Sequence, residues 1–101
     1  MEQTILQYYI ALAKKGTKES IGEIMKHLNK SMSLAESKMI DFALGYVDRD
    51  EGLKIMEYYL FYGTQIQRNY CALYFGRRGE YLVIRKAYCE GLIDAKQAFS
   101  R

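Results

Sequence analysis

The sequence predicts an all-α protein, with antiparallel helix pairs stacked as a short α-solenoid. About three repeats account for six helices, and a short C-terminal helix follows. Three observations carry this. A segment repeats itself 29 residues apart without a gap. Ala43, Leu44, Arg49, Glu51, Leu53, Ile55 and Tyr59 fall on Ala72, Leu73, Arg78, Glu80, Leu82, Ile84 and Tyr88, while Tyr46 meets Phe75. Apolar residues recur at three- and four-residue steps throughout, the spacing of one helix face. The 101 residues include no Pro, so the strongest helix breaker is missing.

Helices are expected near 2–15, 17–30, 33–47, 50–62, 64–77, 80–91 and 94–100. Ile5, Tyr9, Leu12 and Ala13 form the first stripe, and Ile21, Ile24, Met25 and Leu28 the second. Ile40, Ala43, Leu44 and Val47 form the third. Leu53, Met56 and Leu60, widened by Tyr59, form the fourth. Ile66, Tyr70 and Leu73 form the fifth, and Tyr81, Ile84 and Tyr88 the sixth. Tyr81-Leu82-Val83-Ile84 is the best strand candidate, yet it repeats a segment that reads as helix. Gly16, Gly63, Gly79 and Gly91 fall where helices should stop, because glycine enters the left-handed C′ conformation cheaply. Ser33 with Glu36, Asp48 with Glu51, Thr64 with Gln67 and Asp94 with Gln97 have capping-box spacing. The short loops favour antiparallel neighbours, and there is no linker, so residues 1–101 are expected to form a single domain.

Composition narrows the function classes. Half of the residues are hydrophobic and ten are Tyr, which argues against disorder. No apolar run approaches the roughly 18–20 residues of a membrane span. The opening residues Met1-Glu2-Gln3-Thr4 lack the basic start of a secretory signal, and a cytoplasmic protein is expected. Cys71 and Cys89 are expected to be reduced thiols packed as small apolar groups. The net charge of +3 is unevenly spread. Residues 1–63 hold 8 Lys+Arg against 9 Asp+Glu, whereas residues 64–101 hold 7 against 3. Five of the six Arg (Arg68, Arg77, Arg78, Arg85 and Arg101) lie in the later segment.

Arg68, then Cys71-Ala72, Phe75-Gly76 and Gly79-Glu80, with Ile84 and Tyr88 beyond, resemble a short HEAT-like repeat of the phycobiliprotein-lyase type. The match is weaker in the second pair, where Met39, Val47 and Asp50 replace the Arg, the first Gly and the turn Gly. The resemblance covers about two-thirds of the chain. It implies an α-solenoid used as a binding scaffold and brings no catalytic residues, since the repeat itself has none.

Constellations that could carry chemistry read as structural. His27, the sole histidine, is expected to be a solvated surface imidazole. With Cys71 and Cys89 it offers at most three ligands, at none of the zinc spacings. Asp48, Asp50 and Glu51 suit the positive end of the fourth helix. Gly76-Arg77-Arg78-Gly79 lacks the Lys-Ser/Thr of a phosphate loop and reads as a helix end with two cations. No catalytic, metal or cofactor residues are assigned and no small-molecule substrate is inferred.

The expected function is therefore a non-enzymatic protein-interaction module. Its partner-binding residues are Tyr58, Tyr62, Arg77, Arg78, Tyr81 and Arg85, on or beside the second helices of the last two pairs. Those helices line the concave side in such arrays. The first helix, apolar nearly all round (Ile5, Leu6, Tyr8, Tyr9, Ile10 and Leu12), predicts a homodimer or a tight protein partner. The alternative is a small basic helical regulator that binds DNA or RNA through the Arg-rich C-terminal segment, with Arg78 and Arg85 sharing a face.

Overall fold

The computed structural model describes residues 4–99, and among these residues there are seven helices. They are α1 (Ile5–Lys15), α2 (Lys18–His27), α3 (Leu34–Leu44), α4 (Asp50–Tyr62), α5 (Gln65–Arg77), α6 (Tyr81–Cys89) and α7 (Ala95–Phe99). No strand occurs among the described residues, and Tyr81–Ile84 is helical. The expected start of the first helix at residue 2, the last residue of the seventh, and Arg101 lie outside the described residues. The chain forms two compact units that divide between Ile55 and Met56, within α4.

Local chemistry sets the helix ends. Thr64 and Gln67 form a reciprocal capping box: the Gln67 amide donates to Thr64 Oγ1 at 3.2 Å and the Thr64 amide to Gln67 Oε1 at 2.8 Å. Asp94 and Gln97 do the same at 2.7 and 3.0 Å. At α3 only half of the box forms. Ser33 Oγ accepts from the Glu36 amide at 3.1 Å, but the Glu36 carboxylate accepts from the Tyr9 hydroxyl instead. α4 opens at Asp50, with the Leu53 amide on the Arg49 carbonyl, so the Asp48–Glu51 spacing is out of register with its start. Two further boxes, Thr4 with Gln7 and Thr17 with Ser20, open α1 and α2. Each side-chain cap contributes roughly 1 kcal/mol.

Gly79 and Gly91 end α5 and α6 with φ of 74° and 76°. Both make Schellman turns. The Glu80 amide reaches the Phe75 carbonyl and the Leu92 amide reaches the Ala87 carbonyl, each at 3.0 Å. Gly63 ends α4 differently, since its φ is not positive. It is needed for space: an added Cβ would lie 2.5 Å from the Tyr59 carbonyl oxygen and 2.8 Å from Gln67 Oε1.

In the first unit, α1 packs against both α2 and α3. The Tyr9 and His27 rings meet edge to face at 5.5 Å, placing the first half of α1 beside the end of α2. Tyr9 also bonds to Glu36 early in α3, while Lys14 Nζ lies 5.2 Å from the Tyr46 ring just past the end of α3. α1 and α2 are thus antiparallel, and α1 and α3 run in the same direction. The α1–α2 turn also lies beside the start of α4: a Cβ on Gly52 would sit 3.4 Å from both the Gly16 carbonyl oxygen and Ile21 Cδ1. The core is Tyr9, Ala13, Ile21, Ile24, Met25, Leu28, Ile40, Ala43, Leu44 and Val47. The second and third predicted stripes are buried entire. In the first, Tyr9 and Ala13 are buried but Ile5, at the helix opening, is exposed. Each fully buried large side chain contributes about 1.5–3 kcal/mol of transfer free energy.

In the second unit, α5, α6 and α7 pack on one another. The buried face of α5 is Cys71, Ala72, Tyr74 and Phe75 rather than the predicted Ile66, Tyr70 and Leu73, which are half-buried. α6 buries Ile84 and Ala87, leaving Tyr81 and Tyr88 exposed. Met56 and Leu60 of α4 are buried, as predicted. Tyr88 meets Phe99 of α7 edge-on at 5.2 Å. Gln65 Nε2 donates to Gln97 Oε1 at 3.4 Å, joining the start of α5 to α7.

The sequence repeat and the structural repeat differ in register. α5 opens 31 residues after α3, and α6 opens 31 residues after α4. The shift of two residues explains why aligned identities occupy different environments. Leu53 is half-buried while Leu82 is 85% exposed, and exposed Tyr46 aligns with buried Phe75.

Candidate functional site

All six sequence-predicted contact residues lie in the second unit and are exposed. Tyr58 and Tyr62, one turn apart on α4, have ring centroids 5.3 Å apart with planes tilted by 40°, and are 57% and 76% exposed. Tyr59 meets Tyr58 edge-on at 5.3 Å, extending the aromatic surface.

Arg77 and Tyr81 line one groove among α5, α6 and α7. Its volume is about 260 Å³, and its other walls are Ala72, Leu73, Gly76, Ile84, Gln97 and Ala98. The α5–α6 Schellman turn sets this geometry by bringing Tyr81 back beside Arg77 after only three intervening residues. Arg85 follows Tyr81 by one helical turn on α6 and shares its face.

Arg78 is placed differently. It is the C-cap of α5, and the left-handed Gly79 separates it from α6. The helical face that Arg78 and Arg85 were expected to share therefore does not exist. Arg78 Nε donates to Glu80 Oε2 at 2.9 Å, and its guanidinium lies 5.6 Å from the Tyr74 ring centroid. Both groups of the ion pair are partly exposed, so the pair contributes less than about 1 kcal/mol and serves mainly to shape the turn. Lys86, also in the basic segment, lies 5.5 Å from the Phe61 ring. Arg68, the arginine of the HEAT-like pattern, is half-buried on α5. Its Nη2 donates to Gln65 Oε1 at 3.4 Å, and its buried Nε has no hydrogen-bond partner among the described residues.

Cys71 is fully buried, and burial pushes its thiol well above the usual range, which keeps it protonated and a poor nucleophile. Cys89 is exposed, and both cysteines are unpaired. His27 is half-buried on the surface between the Tyr9 ring and Glu23, whose Oε2 lies 3.7 Å from Nε2. Among the described residues, no group of three or more His, Cys, Asp or Glu is arranged to hold a metal. No described helix is long and apolar enough to cross a membrane.

Sequence reasoning found Arg77 and Tyr81 but missed the small residues that hollow out their groove. Gly76 was read as part of the repeat pattern and of a helix end, and Ala98 was not singled out. A comparison of the chain with protein-family models, curated proteins and solved structures finds no match.

Proposed function

We propose that the chain is a non-enzymatic, HEAT-like helical-repeat module that binds a protein partner through the exposed surface of its second unit. The observation that carries this reading is the Tyr58–Tyr62 pair, two aromatic rings in contact and more than half exposed on adjacent turns. Tyrosine buries a large rigid area on binding at low entropic cost and keeps a hydroxyl for the wet rim. The repeat reading is supported by the first unit, where α1 and α3 run in the same direction with α2 antiparallel to α1, as stacked hairpins require. The reading includes a cytoplasmic setting, in keeping with two unpaired cysteines.

The test is affinity capture with the intact chain beside a Tyr58→Ser/Tyr62→Ser variant whose helicity is first checked by circular dichroism. A partner held by the wild type and lost by the variant is expected. Identical captured sets would reject the reading.

A second reading, self-association through the first unit, is favoured by the apolar side chains exposed along α3. Leu34 and Phe42, eight residues apart on one face, are 72% and 59% exposed, and Tyr46 continues the row at 40%. Light scattering that shows only monomer at tens of micromolar would remove it.

A further inference from the structure

We propose that the groove among α5, α6 and α7 takes an acidic peptide segment anchored by one large apolar side chain. The proposal deepens the protein-binding reading above and rests on it.

The groove lies where α5, α6 and α7 meet. Among the described residues α7 spans Ala95–Phe99, beside the thirteen residues of α5. Its Gln97 reaches the first residue of α5 and its Phe99 reaches Tyr88 near the end of α6. The last turns of α5 are left open there. Ala72, Gly76, Ile84 and Ala98 form an apolar floor, and Arg77 and Tyr81 stand at the rim. The floor is recessed because three of its four residues are small. A Cβ built on Gly76 would meet only Ile84 Cδ1, at 3.8 Å.

Size and charge select the occupant. A volume of about 260 Å³ falls below the range of roughly 300–1,000 Å³ that holds drug-sized ligands. It suits a single anchoring side chain. Arg77 lines the groove and Arg85 lies one turn beyond Tyr81 on α6. Residues 64–101 hold 7 Lys+Arg against 3 Asp+Glu, and one of those acids, Glu80, is engaged by Arg78. A cationic rim around an apolar floor complements carboxylates flanking an apolar anchor, and the guanidinium fork matches carboxylate geometry.

The experiment is a selection from a random 12-residue peptide library displayed on phage against the immobilised full chain. Synthetic versions of the enriched peptides are then measured by fluorescence anisotropy. Enriched peptides are expected to be net acidic with one Leu, Phe or Met. Gly76→Leu fills the floor from a helical position without a positive φ, and should cost those peptides about tenfold or more in affinity while leaving the circular dichroism unchanged. Tyr81→Ser, at an exposed rim position, should also weaken them and covers the case in which Gly76→Leu fails to fold. Arg77→Glu/Arg85→Glu should shift the selection towards basic peptides. No enrichment, enrichment without acidic residues, or undiminished binding by both Gly76→Leu and Tyr81→Ser would overturn the proposal. Peptides lost only by Tyr58→Ser/Tyr62→Ser would also overturn it and leave the broader reading standing.

Discussion

The Tyr9 hydroxyl donates a hydrogen bond to Glu36 Oε2 at 2.8 Å, fastening α1 to the first turn of α3. The Tyr9 ring is buried, and this contact with the carboxylate is a polar tether between α1 and α3. It also explains the half-formed cap of α3, since Glu36 cannot reach back to Ser33 while it holds Tyr9. Tyr9→Phe removes the hydroxyl and keeps the ring. A hydrogen bond to a charged group is worth about 1.5–3 kcal/mol when buried, and partial exposure of Glu36 lowers this. Urea denaturation at pH 7 should show a loss of about 1–2 kcal/mol with an unchanged slope.

The same residue predicts behaviour in alkali. Burial and then the Glu36 carboxylate push the Tyr9 hydroxyl well above its ordinary value of 10.0, and burial raises the Cys71 thiol well above 9.0. In both cases the folded state favours the protonated form. Their stabilising contribution is therefore complete below pH 9. It declines as pH rises past 9 for Cys71 and past 10 for Tyr9, where only the unfolded chain releases the proton. Thermal melts between pH 8 and 11 should show a falling midpoint. The fall should be shallower in Tyr9→Phe and in Cys71→Ala, each compared with its own value at pH 8.

Two glycines should respond oppositely to alanine. A Cβ on Gly52 would lie 2.7 Å from Cγ1 of Val47, a stiff, fully buried side chain. Overpacking of about 1–3 kcal/mol outweighs the helix propensity gained, which is at most about 1 kcal/mol. Gly52→Ala should therefore lower stability by about 1 kcal/mol. Gly76→Ala meets nothing closer than 3.8 Å and should raise it by about 0.5–1 kcal/mol. Parallel chemical denaturation of the two variants checks the pair.

Nucleic-acid binding should be weak and lost in salt. The basic segment is broken up: Arg78 is turned to Glu80 and Tyr74, and Lys86 to Phe61. A mobility shift with random 30-base-pair duplex should show at most faint binding at 50 mM salt and none at 200 mM, as counterion release dictates for a few phosphate contacts. Binding that survives 200 mM salt would favour the nucleic-acid reading over the protein one.

Much of the helical pattern was legible because its signals are local. Ser33, Thr64 and Asp94 act on amides three residues away, and Gly79 and Gly91 shape turns through their own φ. The boxes at Thr4 and Thr17 carry the same information but pair with Gln7 and Ser20; the serine departs from the Glu/Gln pattern. The buried face of α5 was obscured because Tyr70, Leu73, Tyr74 and Phe75 surround the helix, so periodicity alone cannot choose among them. Gly63 was assigned the right place for the wrong reason, since close approach rather than φ demands it. At the candidate site, Arg77 and Tyr81 stood out by chemistry, but their groove did not. It depends on α7 meeting α5 across 32 residues of sequence, as Gln65 and Gln97 show. No short-range pattern encodes a contact of that separation.

The contrast between the two cysteines makes the molecule convenient to instrument. A maleimide reagent meets one accessible sulfur, at Cys89, while Cys71 is shielded inside the second unit. Cys89 adjoins Tyr88, whose ring rests against Phe99. A fluorophore coupled there would report, without any engineered residue, when the last short helix lifts from its seat.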